Sequence, residues 1–215
     1  MVTERSSKTD GRVKDTRQRI VREAVVLYYR GGYAGISLDK VAESVEVSKA
    51  ALFHHFKGGK QELFFTVLLE ICNEHQRVVE AAIAEGSDTR SRLLNILRSM
   101  ARCPFMDPMK FLADERDKLS QEQQREIEQA FHRSLRQPVT LVLEEGVRRG
   151  DLRPHNTRLG AAVFLNTIML LPSPGNPAIH QEQEADASQY IDELLGLFLK
   201  GVEQIGGDEL RNSGT

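Results

Sequence analysis

The side chains with the most chemistry to offer are concentrated between Ser37 and Phe64, where the sequence reads SLDKVAESVEVSKAALFHHFKGGKQELF. Ser37, Ser48, Lys49, Phe53, His54, His55 and Lys60 supply hydroxyl and ammonium donors, two imidazoles and an aromatic ring. Groups of this kind bind phosphate oxygens and base edges. Their spacing decides how they are presented. Ser37 can cap a helix whose apolar Leu38, Val41, Ala42 and Val45 recur at helical spacing, and Val47 falls in the short turn that follows. Ser48 can cap a second, short helix, Lys49 to Phe56, in which Leu52 and Phe56 lie four apart and pack inward. Lys49, Ala50, Phe53 and His54 are thereby turned outward. A basic, aromatic and imidazole face on a short helix suits the major groove of DNA, although an ordinary helical hairpin with a solvated polar face fits the same short pattern.

Other chemistries find no residue set of the right spacing. His54 and His55 are adjacent, and neighbouring positions on a helix diverge by about 100 degrees, so the two imidazoles do not share a metal ion easily. His75, His132, His155 and His180 are scattered, without HExxH or Cys/His ligand spacing. No P-loop, GxGxxG, GxSxG or kinase signature occurs. No catalytic residue, metal or cofactor is therefore expected. Cys72 and Cys103 show no CxxC spacing and read as reduced thiols on or beside helices.

The elements that must position the Ser37–Phe64 segment are helical on both sides. Upstream, Asp15 to Arg30 carries Ile20, Val21, Ala24, Leu27 and Tyr28 on one stripe and ends at Gly31-Gly32. Downstream of Gly58-Gly59, Lys60 to Ala84 repeats Leu63, Phe64, Val67, Leu68, Ile71, His75, Val78 and Val79 at helical spacing. Past residue 86 the pattern stays helical: about 89–102, a Pro-bounded piece 104–118 rich in Phe and Met, and a long helix 120–149 kinked near Pro138. Two further helices, about 157–171 and 185–204, carry more apolar surface than one core needs, joined by a Pro-, Gly-, Gln- and Glu-rich link. The class expected is all-α: a small head of three helices containing a helix-turn-helix, on a larger helical body.

With the residues in this order, Thr16 to Phe64 resembles the N-terminal DNA-binding domain of the TetR family of bacterial transcriptional regulators. The resemblance is carried by the Gly32-Tyr33 step, the Ser-capped second helix, the segment VSKAALFHHF and the Lys-Gln-Glu-Leu-Phe opening of the next helix. Phe53 stands where the family usually has Tyr, and the Gly58-Gly59 pair adds one residue before Lys60. EEGVRRGDLRP is similar to the segment that closes the seventh helix in many family bodies, which extends the likeness more loosely.

The resemblance implies a homodimer that reads a palindromic operator as double-stranded DNA. Lys49 would contact base edges beside Ala50 and His54, while Ser37, Ser48, Phe53, His55 and Lys60 would hold phosphates. The arm residues Arg5, Lys8, Arg12 and Lys14 would add sequence-independent attraction. The last two helices would meet their twofold mates through Tyr190, Ile191, Leu194, Leu195 and Phe198. Met100, Cys103, Phe105, Met109, Phe131, Phe164 and Asn166 would line a cavity for a small-molecule effector, apolar or amphipathic, with Arg116 and His132 as further polar anchors.

Charge distribution agrees with a head that meets nucleic acid. The formal net charge is −2 over 215 residues. Residues 1–60 nevertheless hold 12 Lys/Arg against 7 Asp/Glu, and the remainder 17 against 24. The expected division is 1–60 for the DNA-binding domain with a flexible basic arm over 1–14, 61–205 for an effector-binding and dimerisation domain, and a tail over 206–215. A polar N-terminus and the lack of a long apolar run lead to the expectation of a cytoplasmic, non-membrane protein. The function expected is a ligand-responsive transcriptional repressor, not an enzyme. Two other readings stay open at this point: a helical enzyme that transforms a ligand held in the Met/Phe-rich cavity, and a DNA-associated protein acting through a protein partner.

Overall fold

The computed structural model describes residues 3–104, 115–171 and 187–202. Every regular element among them is helical. In chain order these are α1 (Thr3–Gly35), α2 (Leu38–Ser44), α3 (Lys49–His55), α4 (Gly59–Glu85), α5 (Thr89–Met100), a 3-10 turn (Arg116–Lys118), α6 (Gln121–Phe131), a π-turn (His132–Arg136), α7 (Gln137–Arg149), α8 (Thr157–Ile168) and α9 (Ala187–Lys200). They fall into two compact units. The first contains the described part of residues 1–73 and 115–130, the second residues 74–104 and the described part of 131–215.

In the first unit, α1 supplies Ile20, Val21, Ala24 and Tyr28, α2 supplies Val41 and Ala42, and α3 supplies Leu52 to one cluster. Leu63, Phe64, Val67, Leu68 and Ile71 from the first half of α4 complete it, with Phe56 and Leu119 from connecting segments. Full burial of each large aliphatic or aromatic side chain contributes roughly 1.5–3 kcal/mol. The helix α1 begins at Thr3 rather than Asp15 and continues to Gly35 across a kink. Gly32 makes the kink, with φ 62 and ψ −156, a region that only glycine enters readily. The kink frees the Tyr33 backbone N–H, which donates to Glu115 Oε1 at 2.8 Å while the Tyr28 hydroxyl donates to Oε2 at 3.0 Å. Residues 115–119 are thus fastened to the helical head, which extends past the expected boundary at residue 60.

The second unit is built from the second half of α4, α5, α7, α8 and α9. Its core joins Val79 and Ala82 to Leu93, Ile96 and Leu97 of α5, Val139, Val142 and Leu143 of α7, Phe164 of α8 and Leu195 of α9. Asp88 and Ser91 start α5 with reciprocal side-chain to backbone bonds, 2.7 and 3.0 Å long, that satisfy two otherwise orphaned N–H groups. The expected kink near Pro138 takes the form of the π-turn. Proline has no N–H and its ring displaces the carbonyl one turn back, and here the Gln137 N–H reaches five residues back to His132 O.

Candidate nucleic-acid interface

Both helices of the α2–α3 motif start as the sequence indicates. Ser37 Oγ accepts from the Lys40 N–H at 3.4 Å, and Ser48 Oγ accepts from the Ala51 N–H at 3.1 Å. A cap of this kind is worth about 1 kcal/mol, and each hydroxyl keeps its own hydrogen for an external acceptor such as phosphate. The connection is a Schellman turn: Val47 N–H donates to Ala42 O at 2.9 Å and Glu46 N–H to Glu43 O at 3.1 Å. The geometry requires a left-handed residue, and Glu46 takes that position at φ 56. Arg19 of α1 donates to Val45 O at 2.8 Å, satisfying a carbonyl at the end of α2.

Within α3 only Leu52 is fully buried, with Phe56 buried just after it; both are 0% exposed. Lys49, Ala50, Phe53 and His54 are exposed, as the four-residue spacing of Leu52 and Phe56 requires. Phe53, 40% exposed, is a large apolar side chain on an otherwise polar face. The Arg17 guanidinium lies over the Phe56 ring, 4.8 Å from its centroid, and adds a cation beside α3. His55 is half-buried, its ring edge-on to His54 at 5.7 Å. Burial pushes its pKa below the ordinary imidazole value, and the nearby charges of His54 and Arg17 push it further in the same direction.

Lys60 is arranged differently from a free phosphate clamp. Its ammonium sits 4.5 Å from the centre of the Tyr33 ring and donates to Ala34 O at 3.4 Å. Partial burial lowers its pKa from the ordinary lysine value. Gly59, at φ 61, makes the turn into α4, and a Cβ there would come within 3.4 Å of the Phe53 ring. The extra residue before Lys60 therefore closes against α3.

Sequence reasoning missed Arg17, Arg19, Asp39 and Glu46. Arg17 and Arg19 act across the fold from a polar face of α1, which periodicity does not distinguish from solvent-facing positions. Asp39 pairs with Lys49, Oδ1 to Nζ 2.7 Å, a contact ten residues apart in sequence with no local signature. Glu46 was invisible because the turn lacks the glycine or asparagine that normally marks a left-handed position.

The remaining site residues of the second unit are distributed otherwise than expected. Ile191, Leu194, Leu195 and Phe198 are 4%, 8%, 0% and 8% exposed and belong to the core of their own chain. Phe198 packs edge-on against Phe164, 5.3 Å between ring centres, and Tyr190 lies partly buried at the edge of the same cluster. Large apolar side chains open on or beside the last two helices are instead Leu159 and Val163 of α8, Leu170 just beyond it, and Leu197 of α9. Helix α9 turns its richest stripe inward because α5 and α8 leave that core incomplete without it.

Of the expected cavity residues, Met100, Cys103 and Phe164 share the core, where Phe164 is 0% exposed. Burial raises the Cys103 thiol pKa, aided by Glu74, so this sulfur is a poor nucleophile. Phe131 is 36% exposed, and Asn166 sits on the surface of α8 with its amide donating to Ala162 O at 2.8 Å. Neither joins that core. Phe105 and Met109 lie outside the described residues, as do the side chains of Arg5, Lys8, Arg12 and Lys14. Arg116 is bonded to Gln124 and Glu128. Two open clefts in the second unit, about 420 and 590 Å³, are lined by a mixture of charged, polar and apolar side chains and contain none of the seven expected cavity residues. His132 lines the larger. Among the described residues no three His, Cys, Asp or Glu gather as a metal site would need, and no helix is long and apolar enough to cross a membrane.

Residues 20–67 match the family described as bacterial regulatory proteins, tetR family. The Transposon Tn10 TetC protein of Escherichia coli is 34% identical over 76 residues, 35% of this chain and 36% of that protein. Thus the chain matches only about a third of that relative's length. Among solved structures, AibR in complex with isovaleryl coenzyme A and operator DNA shares the fold with TM-score 0.66 at 18% identity, over 86% of this chain and 98% of AibR. FadR from Bacillus subtilis in complex with stearoyl-CoA gives TM-score 0.64 at 17% identity, over 86% and 98%. Residues 20–67 are thus similar to the tetR family of bacterial regulatory proteins, and over the longer span the likeness to solved structures is one of fold.

Proposed function

We propose that this protein is a DNA-binding transcriptional repressor that acts as a homodimer on a palindromic operator and is released by a small effector. The observation that carries the reading is α3: a serine-capped helix anchored by Leu52 and Phe56, with Lys49, Ala50, Phe53 and His54 left open on one side. A major groove accepts such a helix, and the hydroxyls of Ser37 and Ser48 with the His55 ring would face phosphates. Lys60 would leave the Tyr33 ring for a phosphate, a modest cost for a half-exposed cation–π contact.

Dimerisation is supported by Leu159, Val163, Leu170 and Leu197, which are 48–69% exposed on or just beyond the last two helices. Two copies would bury this surface about a twofold axis and bring two heads to one palindrome. An amphipathic effector is supported by the acyl-CoA molecules held by AibR and FadR. Ligand would act by preferring the conformation that DNA does not.

Selecting DNA from a random pool with the full chain tests head, symmetry and specificity together. A palindromic consensus is expected. Lys49→Ala should relax preference at one position of each half-site, whereas Lys60→Ala should weaken all sequences alike and reduce the salt slope by about one unit. Recovery of no consensus would overturn the reading.

A further inference from the structure

Lys49 is the first residue of α3 and Asp39 the second of α2, and their side chains meet at 2.7 Å while remaining 59% and 71% exposed. The pair bridges the two helices of the motif on its open side, so the cation assigned to base reading is already occupied in the free protein. We propose that Asp39 is a specificity-determining residue, which withholds the Lys49 ammonium from phosphates and yields it to the paired acceptors of a guanine edge. This rests on the DNA-reading assignment of α3.

The argument is one of competing acceptors. An exposed ion pair shifts an equilibrium by only a few fold, so Asp39 can be displaced, but a single phosphate oxygen replaces it with a contact of the same kind and gains little. Guanine offers O6 and N7 together in the major groove and compensates for the lost carboxylate. Adenine presents N7 beside an amino donor, which repels an ammonium. An unpaired carboxylate beside the backbone also opposes every phosphate, so a sequence that cannot engage Lys49 retains the pair. Non-specific complexes then release no counterion through Lys49. Glu43, exposed on the same helix α2, has no ion-pair partner among the described residues and provides a control for simple removal of negative charge.

The test uses the full chain, the selected DNA site and a scrambled duplex of equal length, with affinities measured by fluorescence anisotropy across a range of salt. Asp39→Asn should tighten scrambled DNA several fold and steepen its salt dependence by about one unit, while tightening the selected site less, so that the specificity ratio falls. Glu43→Gln should tighten both duplexes equally. With Lys49→Gln already present, Asp39→Asn should affect both duplexes equally too, and the position whose preference Lys49→Gln abolishes should be a guanine. Thermal melts of all variants should match the wild type, because both side chains are exposed. A selected site bound by Asp39→Asn with an unchanged specificity ratio overturns this inference alone; a wild-type protein that prefers no sequence overturns the DNA-reading assignment along with it.

Discussion

Helices α3 and α9 use their faces in opposite ways. In α3 a single fully buried residue, Leu52, anchors seven, and Ser48 satisfies the first turn, so most of its surface is left for something outside the chain. In α9 the apolar residues Ile191, Leu194, Leu195, Phe198 and Leu199 all turn into the core, and Leu197 is the large apolar residue left open. A helix meant to read another molecule can be short if caps and one stripe fix it. A helix that completes a core gives most of its apolar surface to its own chain and leaves a narrow remainder for an interface.

The contrast breaks most sharply at the anchors. Phe56→Ala should destabilise the protein by about 3–5 kcal/mol in denaturant unfolding followed by helical signal, whereas Phe53→Ala should change stability by no more than about 0.5 kcal/mol. Equal effects would mean that the two faces of the segment are wrongly assigned. In α9, Leu195→Ala should cost about 2–5 kcal/mol. Val163→Glu with Leu197→Glu should instead preserve the helical signal and shift a dimer to monomer in light scattering. A stable wild-type monomer at micromolar concentration would contradict the proposed interface.

A smaller effect is expected at the turn that sets α3 in place. Glu46 occupies a left-handed conformation that costs a non-glycine residue on the order of 1 kcal/mol or more. Glu46→Gly relieves that strain but loosens the unfolded chain, and a net gain of about 0.5–1 kcal/mol is expected in the same unfolding measurement. A loss would show that the Glu46 side chain itself supports the turn.

The smallest effect concerns pH. Burial and the neighbouring His54 and Arg17 keep His55 deprotonated to lower pH than a free imidazole, while phosphates in a DNA complex would favour its charged form. Its pKa in the complex would then exceed that in the free protein, and DNA binding would take up protons. Affinity should rise a few fold as pH falls from about 7.5 towards 6, and His55→Gln should flatten the dependence. An unchanged pH profile in the variant would place His55 away from the phosphates.

The helical class, the two serine caps and the outward set Lys49, Ala50, Phe53 and His54 are legible in the amino-acid order, because each follows from hydrogen bonds and spacing within one or two turns. Tertiary structure alone decided which stripe of α9 faces the core, since 190–200 is apolar on more than one side and only the neighbouring α5 and α8 determine which side is used. It also decided that residues 115–119 are fastened to the head through Glu115, that Lys60 rests on Tyr33, and that Lys49 meets Asp39. These contacts join residues 10 to 87 apart, where the pairing depends on how the helices cross and not on any local pattern.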